Sequence, residues 1–75
     1  MTLHDVVLWR LMKRRDLERH LSDHECRFDH HGGRHDIWLN PANGLDAAVP
    51  RHNEIKFGTA RAICKQLDIP IPRGK

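Results

Sequence analysis

Apolar and polar positions recur with two different periods along the chain, and the change of period marks the predicted elements. Between Lys13 and His24, apolar and histidine side chains return every three or four positions, which predicts an amphipathic helix over residues 13–24. Residues 25–31 then alternate with period two, with Cys26, Phe28 and His30 on one side, as in a half-buried strand. The pair Gly32-Gly33 predicts a two-residue hairpin turn after it.

The segment after the glycines alternates again and predicts a second strand, antiparallel to the first. It places His35, Ile37 and Leu39 on one side, and Arg34, Asp36 and Trp38 on the other. Turn-forming residues fill positions 40–44, and a third strand over 45–49 ends at Pro50, which cannot donate to a strand ladder.

The last periodic segment predicts a second helix. Apolar side chains recur at helical spacing from Ala60 to Leu67, and Thr59 is expected to cap the start. Pro70 and Pro72 prevent the helix from continuing, so residues 70–75 are expected to form a C-terminal tail. The segment 51–57 is interpreted as a connection.

This order of elements predicts an α+β fold: a helix, a three-stranded antiparallel sheet and a helix, with both helices on one sheet face. The opposite face is then open and is expected to hold the function. Residues 1–11 do not fit this unit and are expected to form an N-terminal extension outside the core. The folded domain is expected to cover residues 12–69.

Composition limits the class of protein without naming it. With 75 residues the chain has room for one domain. Its net charge of +3 is consistent with a polyanionic partner. Cys26 and Cys64 lack the spacing of a metal site and are interpreted as buried free thiols. The longest apolar runs are too short for a membrane span or a secretory signal, so a cytoplasmic location is expected.

Four segments taken in order resemble one protein family. They are KRRDLERHL (13–21), GGRHDIW (32–38), AAVPRH (47–52) and GTARAICKQLDI (58–69). Together they resemble the HicA toxins, small endoribonucleases of bacterial toxin–antitoxin pairs, over residues 12–69. The resemblance implies a fold like that of a double-stranded-RNA-binding domain, cleavage of mRNA, and neutralisation by a HicB antitoxin that covers the active site. The free toxin is expected to be a monomer.

The resemblance also implies that one histidine, His35, carries the chemistry. RNA supplies its own nucleophile, the 2′-hydroxyl, so acid–base catalysis by histidine can cleave it without a metal or another cofactor. His52 is favoured for the second proton transfer, and His31 is the other candidate. Many family members have Ser immediately before the catalytic histidine, whereas this chain has Arg34, a cation beside the scissile phosphate.

Basic side chains are the candidates for binding RNA. Arginine forks bind phosphate through two hydrogen bonds, which makes Arg34, Arg51 and Arg14 candidate phosphate contacts, and Lys56 is a further candidate cation. Trp38 is a candidate for stacking on a base, and packing within the sheet is the equally weighted alternative.

Two other functions stay open at this point. One is a metal site, because His20 and His24 are four apart on a helix and His30, His31 and His35 could complete a ligand set. No carboxylate or thiol joins them at a recognised spacing, so no metal is expected. The other is a double-stranded-RNA-binding module that does not cut, which the lysine-poor start of the last helix disfavours.

Overall fold

The computed structural model of the protein describes residues 10–72 of the 75. The predicted α+β order of helix, three-stranded antiparallel sheet and helix is confirmed, and two short strands are added to it. The elements are β1 (Leu11–Lys13), α1 (Arg14–Asp23), β2 (Arg27–His31), β3 (His35–Asn40), β4 (Leu45–Pro50), β5 (Glu54–Lys56) and α2 (Phe57–Leu67).

The three central strands form one antiparallel sheet in the order β2-β3-β4. In its register His35 lies opposite Pro50, and Trp38 lies opposite Ala47. The strands β1 and β5 form a separate two-stranded antiparallel sheet, in which Leu11 lies opposite Lys56. The sequence interpretation missed this second sheet and took 51–57 for a connection.

The core lies between the two helices and one face of the central sheet. Its largest fully buried side chains are Leu17, Leu21, Leu67, Val49 and Cys64, which come from both helices and from β4. The residues of β3 and β4 that point to this core are Trp38, Asn40, Ala47 and Val49. We call the other side the outer face; it carries His35, Ile37, Leu39, Asp46, Ala48 and Pro50, since residues paired directly across antiparallel strands share a face.

The second helix begins three residues earlier than predicted. The backbone N–H of Phe57 donates to the carbonyl oxygen of Arg10 at 2.7 Å, which fixes the first helical residue there. Lys56 therefore occupies the N-cap position, and Thr59 lies inside the first turn without a capping hydrogen bond. The expectation that Thr59 caps this helix was wrong.

The chain on either side of the expected domain is described only in part. Of the expected N-terminal extension, residues 1–9 lie outside the described residues, while Leu11 belongs to β1. Of the C-terminal tail, Pro72 is buried, and residues 73–75 lie outside the described part. Within residues 10–72, no helix has the length and apolar character needed to cross a membrane.

Candidate active site

His35 is the first residue of β3 and lies on the outer face at one end of the sheet. Its side chain is exposed and makes no hydrogen bond to any group within residues 10–72. The imidazole is therefore accessible to a substrate that approaches the outer face. Its backbone, in contrast, is held by several contacts.

The turn before His35 is closed by its own backbone. The N–H of Gly32 donates to the carbonyl oxygen of His35 at 2.8 Å. A Cβ at position 32 would lie 3.0 Å from that oxygen, so a larger residue there would push this backbone oxygen away by a few tenths of an ångström. The predicted two-residue turn is one residue longer, because residues 32–34 connect the end of β2 to the start of β3.

Arg51 binds this turn from the neighbouring strand end. Its guanidinium donates to the carbonyl oxygens of Gly32 at 2.7 Å, Gly33 at 3.2 Å and His35 at 3.4 Å. Its Nε donates to Oδ1 of Asp36 at 2.8 Å. Four acceptors thus occupy most of the five N–H donors of one guanidinium, which leaves little of this side chain for a phosphate.

Asp36 connects Arg51 to His31. Its Oδ1 also accepts a hydrogen bond from Nδ1 of His31 at 2.7 Å, and its side chain is only 14% exposed. The hydrogen bond from Arg51, followed by that from His31, holds the pKa of Asp36 below its usual range. The sequence analysis did not identify Asp36 as part of the site. The available signal was the opposite charge of Arg51, which directly follows Pro50, the residue paired with His35.

A second arginine supports the first. Arg14, the first residue of α1, donates from its guanidinium to the carbonyl oxygen of Arg51 at 2.7 Å. Its backbone N–H donates to the carbonyl oxygen of Asn53 at 2.8 Å. Arg14 and Arg51, both predicted as phosphate contacts, therefore link helix α1 to the turn that carries His35.

Trp38 lies on the core side of the sheet. Its side chain is 7% exposed and packs in the hydrophobic core, as in the alternative that the sequence left open. The ring presents no face on which a base could stack. The indole Nε1 is buried and finds no hydrogen-bond partner within residues 10–72.

The other predicted residues are exposed. Arg34 lies in the turn and makes no hydrogen bond or ion pair with residues 10–72, so its cation is available beside His35. His52 and Lys56 line one shallow groove of about 260 Å³. Pro50, which lies opposite His35, also lines this groove, so His52 and Lys56 lie at the same end of the sheet as His35.

The helix histidines lie at a different place. The rings of His20 and His24 are 4.6 Å apart, and Nε2 of His20 contacts the carbonyl oxygen of Pro70 at 2.7 Å. His20 lines a larger groove of about 490 Å³ beside α1 that contains none of the predicted site residues. Within residues 10–72, no group of three or more side chains is arranged to hold a metal ion.

Comparison with known proteins bears on this arrangement. The model of the family described as HicA toxin of bacterial toxin–antitoxin systems matches residues 14–69. No curated protein and no solved structure was found to match the chain. The family match runs from the first residue of α1 past the end of α2 and includes the whole central sheet. The chain belongs to the HicA toxin family of bacterial toxin–antitoxin systems.

Proposed function

We propose that this toxin is an endoribonuclease that cleaves mRNA by histidine acid–base catalysis without a metal. The observation that carries the proposal is the placement of His35, whose side chain is exposed on the outer face while its backbone is fixed by Gly32 and Arg51. A proton-transfer group works best when a rigid element holds it and its reactive atoms are open to the substrate.

In this proposal the 2′-hydroxyl of the substrate is the nucleophile. His35 accepts the proton of that hydroxyl while the oxygen attacks the adjacent phosphorus. Arg34, which is exposed in the turn beside His35, is positioned to stabilise the charge that builds on the phosphate oxygens. Lys56 is the second cation proposed to contact the RNA backbone. His52 and His31 are the sequence-based candidates for the other proton transfer.

We also propose that a HicB-like antitoxin binds over the outer face. Covering His35 prevents the RNA from reaching the group that transfers protons, which stops turnover directly. Arg34 and Lys56 give this end of the molecule positive charge, so an acidic antitoxin surface would associate faster.

The test is cleavage of a single-stranded RNA by the purified protein and by His35→Ala. We expect the substitution to lower the rate by about 10²–10⁴-fold, the usual contribution of a positioned acid or base. Cleaved ends are expected to carry 2′,3′-cyclic phosphate, and activity is expected to survive EDTA. Full activity of a folded His35→Ala variant would refute the proposal, and RNA binding without cleavage by the wild type would favour the double-stranded-RNA-binding alternative.

A further inference from the structure

A β-bulge interrupts strand β2 beside the proposed active site. Phe28 lies opposite Trp38, and His30 lies opposite Ile37, so Asp29 is an extra residue with no partner of its own in β3. Because side chains alternate along a strand, one extra residue moves every later side chain to the other face.

A ring contact confirms this change of face. In a regular strand Phe28 and His31, three positions apart, point to opposite sides. Here their ring centroids are only 4.8 Å apart. His31 therefore lies on the core side of the sheet with Phe28, and its partner across the hairpin is Asp36.

The same shift brings His30 to the outer face with His35. His30 lies opposite Ile37, and His35 precedes Ile37 by two positions in β3, so all three side chains share one face. Diagonal neighbours of this kind in an antiparallel pair have backbones about 7–8 Å apart. Two imidazoles at this spacing are able to contact opposite sides of one phosphodiester.

A carboxylate orients the His30 ring. Nδ1 of His30 lies 2.7 Å from Oδ2 of Asp29, the bulged residue. Because a carboxylate only accepts hydrogen bonds, Nδ1 is the donor, and Nε2 is left to exchange a proton with a substrate. The side chain of His30 is 59% exposed, so an RNA on the outer face can reach it. The other charged side chains that β2 and β4 place on this face are Arg27 and Asp46.

We propose that His30 is the second proton-transfer residue of the ribonuclease reaction, and that Asp29 is its positioning residue. This inference rests on the proposed function. Neutral His35 takes the proton of the 2′-hydroxyl, and the 2′-oxygen bonds to phosphorus. The bond from phosphorus to the 5′-oxygen breaks, and protonated His30 gives its Nε2 proton to that oxygen. The products are a 2′,3′-cyclic phosphate and a 5′-hydroxyl, and both histidines return to their starting states by proton exchange with water.

The assignment of the acid role follows from the contacts. The acid carries a positive charge before it gives up its proton, and the carboxylate of Asp29 lies next to that charge on His30. His35 makes no side-chain hydrogen bond within residues 10–72, which suits a neutral base. His31 also contacts a carboxylate at 2.7 Å, but it lies on the core side and not with His35.

The experiment compares His30→Ala with His24→Ala, which removes an imidazole at the end of α1, away from the outer face. We expect His30→Ala to lower kcat by about 10²–10⁴-fold and to remove the high-pH limb of the pH–rate profile. KM is expected to change much less than kcat. His24→Ala is expected to leave kcat nearly unchanged, because His24 is no part of the proposed reaction. Circular dichroism confirms that each variant is folded.

A substrate with an activated leaving group tests the acid role itself. A ribonucleoside 3′-(4-nitrophenyl) phosphate releases nitrophenolate, which needs no proton. On this substrate we expect His30→Ala to regain near-wild-type rates while His35→Ala stays inactive. Asp29→Asn should lower kcat on RNA and leave the activated substrate nearly unaffected.

The outcomes separate this inference from the function on which it rests. If the wild type and His35→Ala do not differ in cleavage, the proposed function fails. If His35→Ala is inactive but His30→Ala cleaves RNA normally, only the role of His30 is overturned. The same holds if the high-pH limb disappears in His52→Ala instead, or if the activated substrate fails to rescue His30→Ala.

Discussion

Replacing Arg51 by Ala separates two roles that a basic residue near His35 can have. The sequence predicts a phosphate contact, whereas the structure gives the guanidinium to the carbonyl oxygens of Gly32, Gly33 and His35 and to Asp36. A phosphate contact contributes to substrate binding. A side chain that holds the turn contributes to the position of the His35 imidazole, the proposed proton-transfer group.

The size of the effect follows from these contacts. Each hydrogen bond contributes about 0.5–1.5 kcal/mol net, and bonds at an exposed site lie at the low end of that range. The two shorter bonds to the turn carbonyls therefore account for about 1–2 kcal/mol of the free energy of unfolding. A shift of about 1 Å in a reacting group costs about 10²-fold in rate, so we expect kcat to fall by roughly 10- to 100-fold.

The assay measures kcat and KM on a short RNA at several salt concentrations, and amide hydrogen exchange in the absence of RNA. In Arg51→Ala we expect a lower kcat, a nearly unchanged KM, and faster exchange at Gly32, whose N–H bonds to His35. Arg34→Ala is the matched control, because the Arg34 side chain is exposed and makes no hydrogen bond within residues 10–72. There we expect a higher KM, a lower kcat from the lost charge stabilisation, a smaller salt slope, and unchanged exchange at Gly32.

One combination of results would refute this reasoning about Arg51. If Arg51→Ala raised KM, lowered the salt slope, and left the exchange of Gly32 unchanged, Arg51 would be a phosphate contact as the sequence suggested. Arg51→Lys adds a further check. Lysine keeps the charge but cannot bond several carbonyls at once, so we expect it to restore RNA binding without restoring kcat.

Three further predictions concern stability and reactivity. Buried Asn40 donates to the carbonyl oxygen of Leu67 at 2.9 Å, so Asn40→Asp should lower the free energy of unfolding, measured in urea, by about 2–3 kcal/mol. Asn43→Asp changes a more exposed donor to the same oxygen and should lower it less. The pKa of Asp36 is lower in the folded state, so the melting temperature should fall as pH drops below the usual carboxyl range. In Asp36→Asn the melting temperature should fall less steeply with pH; an equal dependence on pH in the two proteins would contradict this reasoning. Burial raises the pKa of Cys64 to about 11, so iodoacetamide should not modify this thiol near neutral pH until the protein unfolds, as mass spectrometry would show.

The parts of the fold that the sequence predicted are those with a strong local period. Helix α1 repeats its apolar positions every three or four residues, and the central strands lie between glycine- and proline-rich turns, so each element is recognisable from its own segment. The two short strands have no such signal. Residues 11–13 pair with residues 54–56, which are far away in the sequence. Each strand has only three residues, too few to establish a period.

The face to which a side chain points was harder to predict than the strand itself. A period-two pattern says which residues share a side but not which side meets the helices. In β3, Trp38 points to the core. There it lies beside the small Ala47 of β4, and both residues pack with helix side chains. In β2 the inserted Asp29 reverses the faces midway, and no residue type in RFDHH distinguishes a bulge from a regular strand.

The positive charge of the chain is evident from the sequence, but the groups that each arginine binds are not. A sequence supplies the number of arginines and not their partners, so Arg14, Arg34 and Arg51 looked equivalent. The structure divides them, since Arg14 and Arg51 bond to backbone carbonyls and Arg34 does not. The cations free to bind the proposed RNA substrate are therefore fewer than the number of arginines suggests. An inhibitor that only neutralised them would leave the His35 turn intact, because that turn is held by internal hydrogen bonds. Full inhibition by an antitoxin would then require direct contact with the outer face at His35.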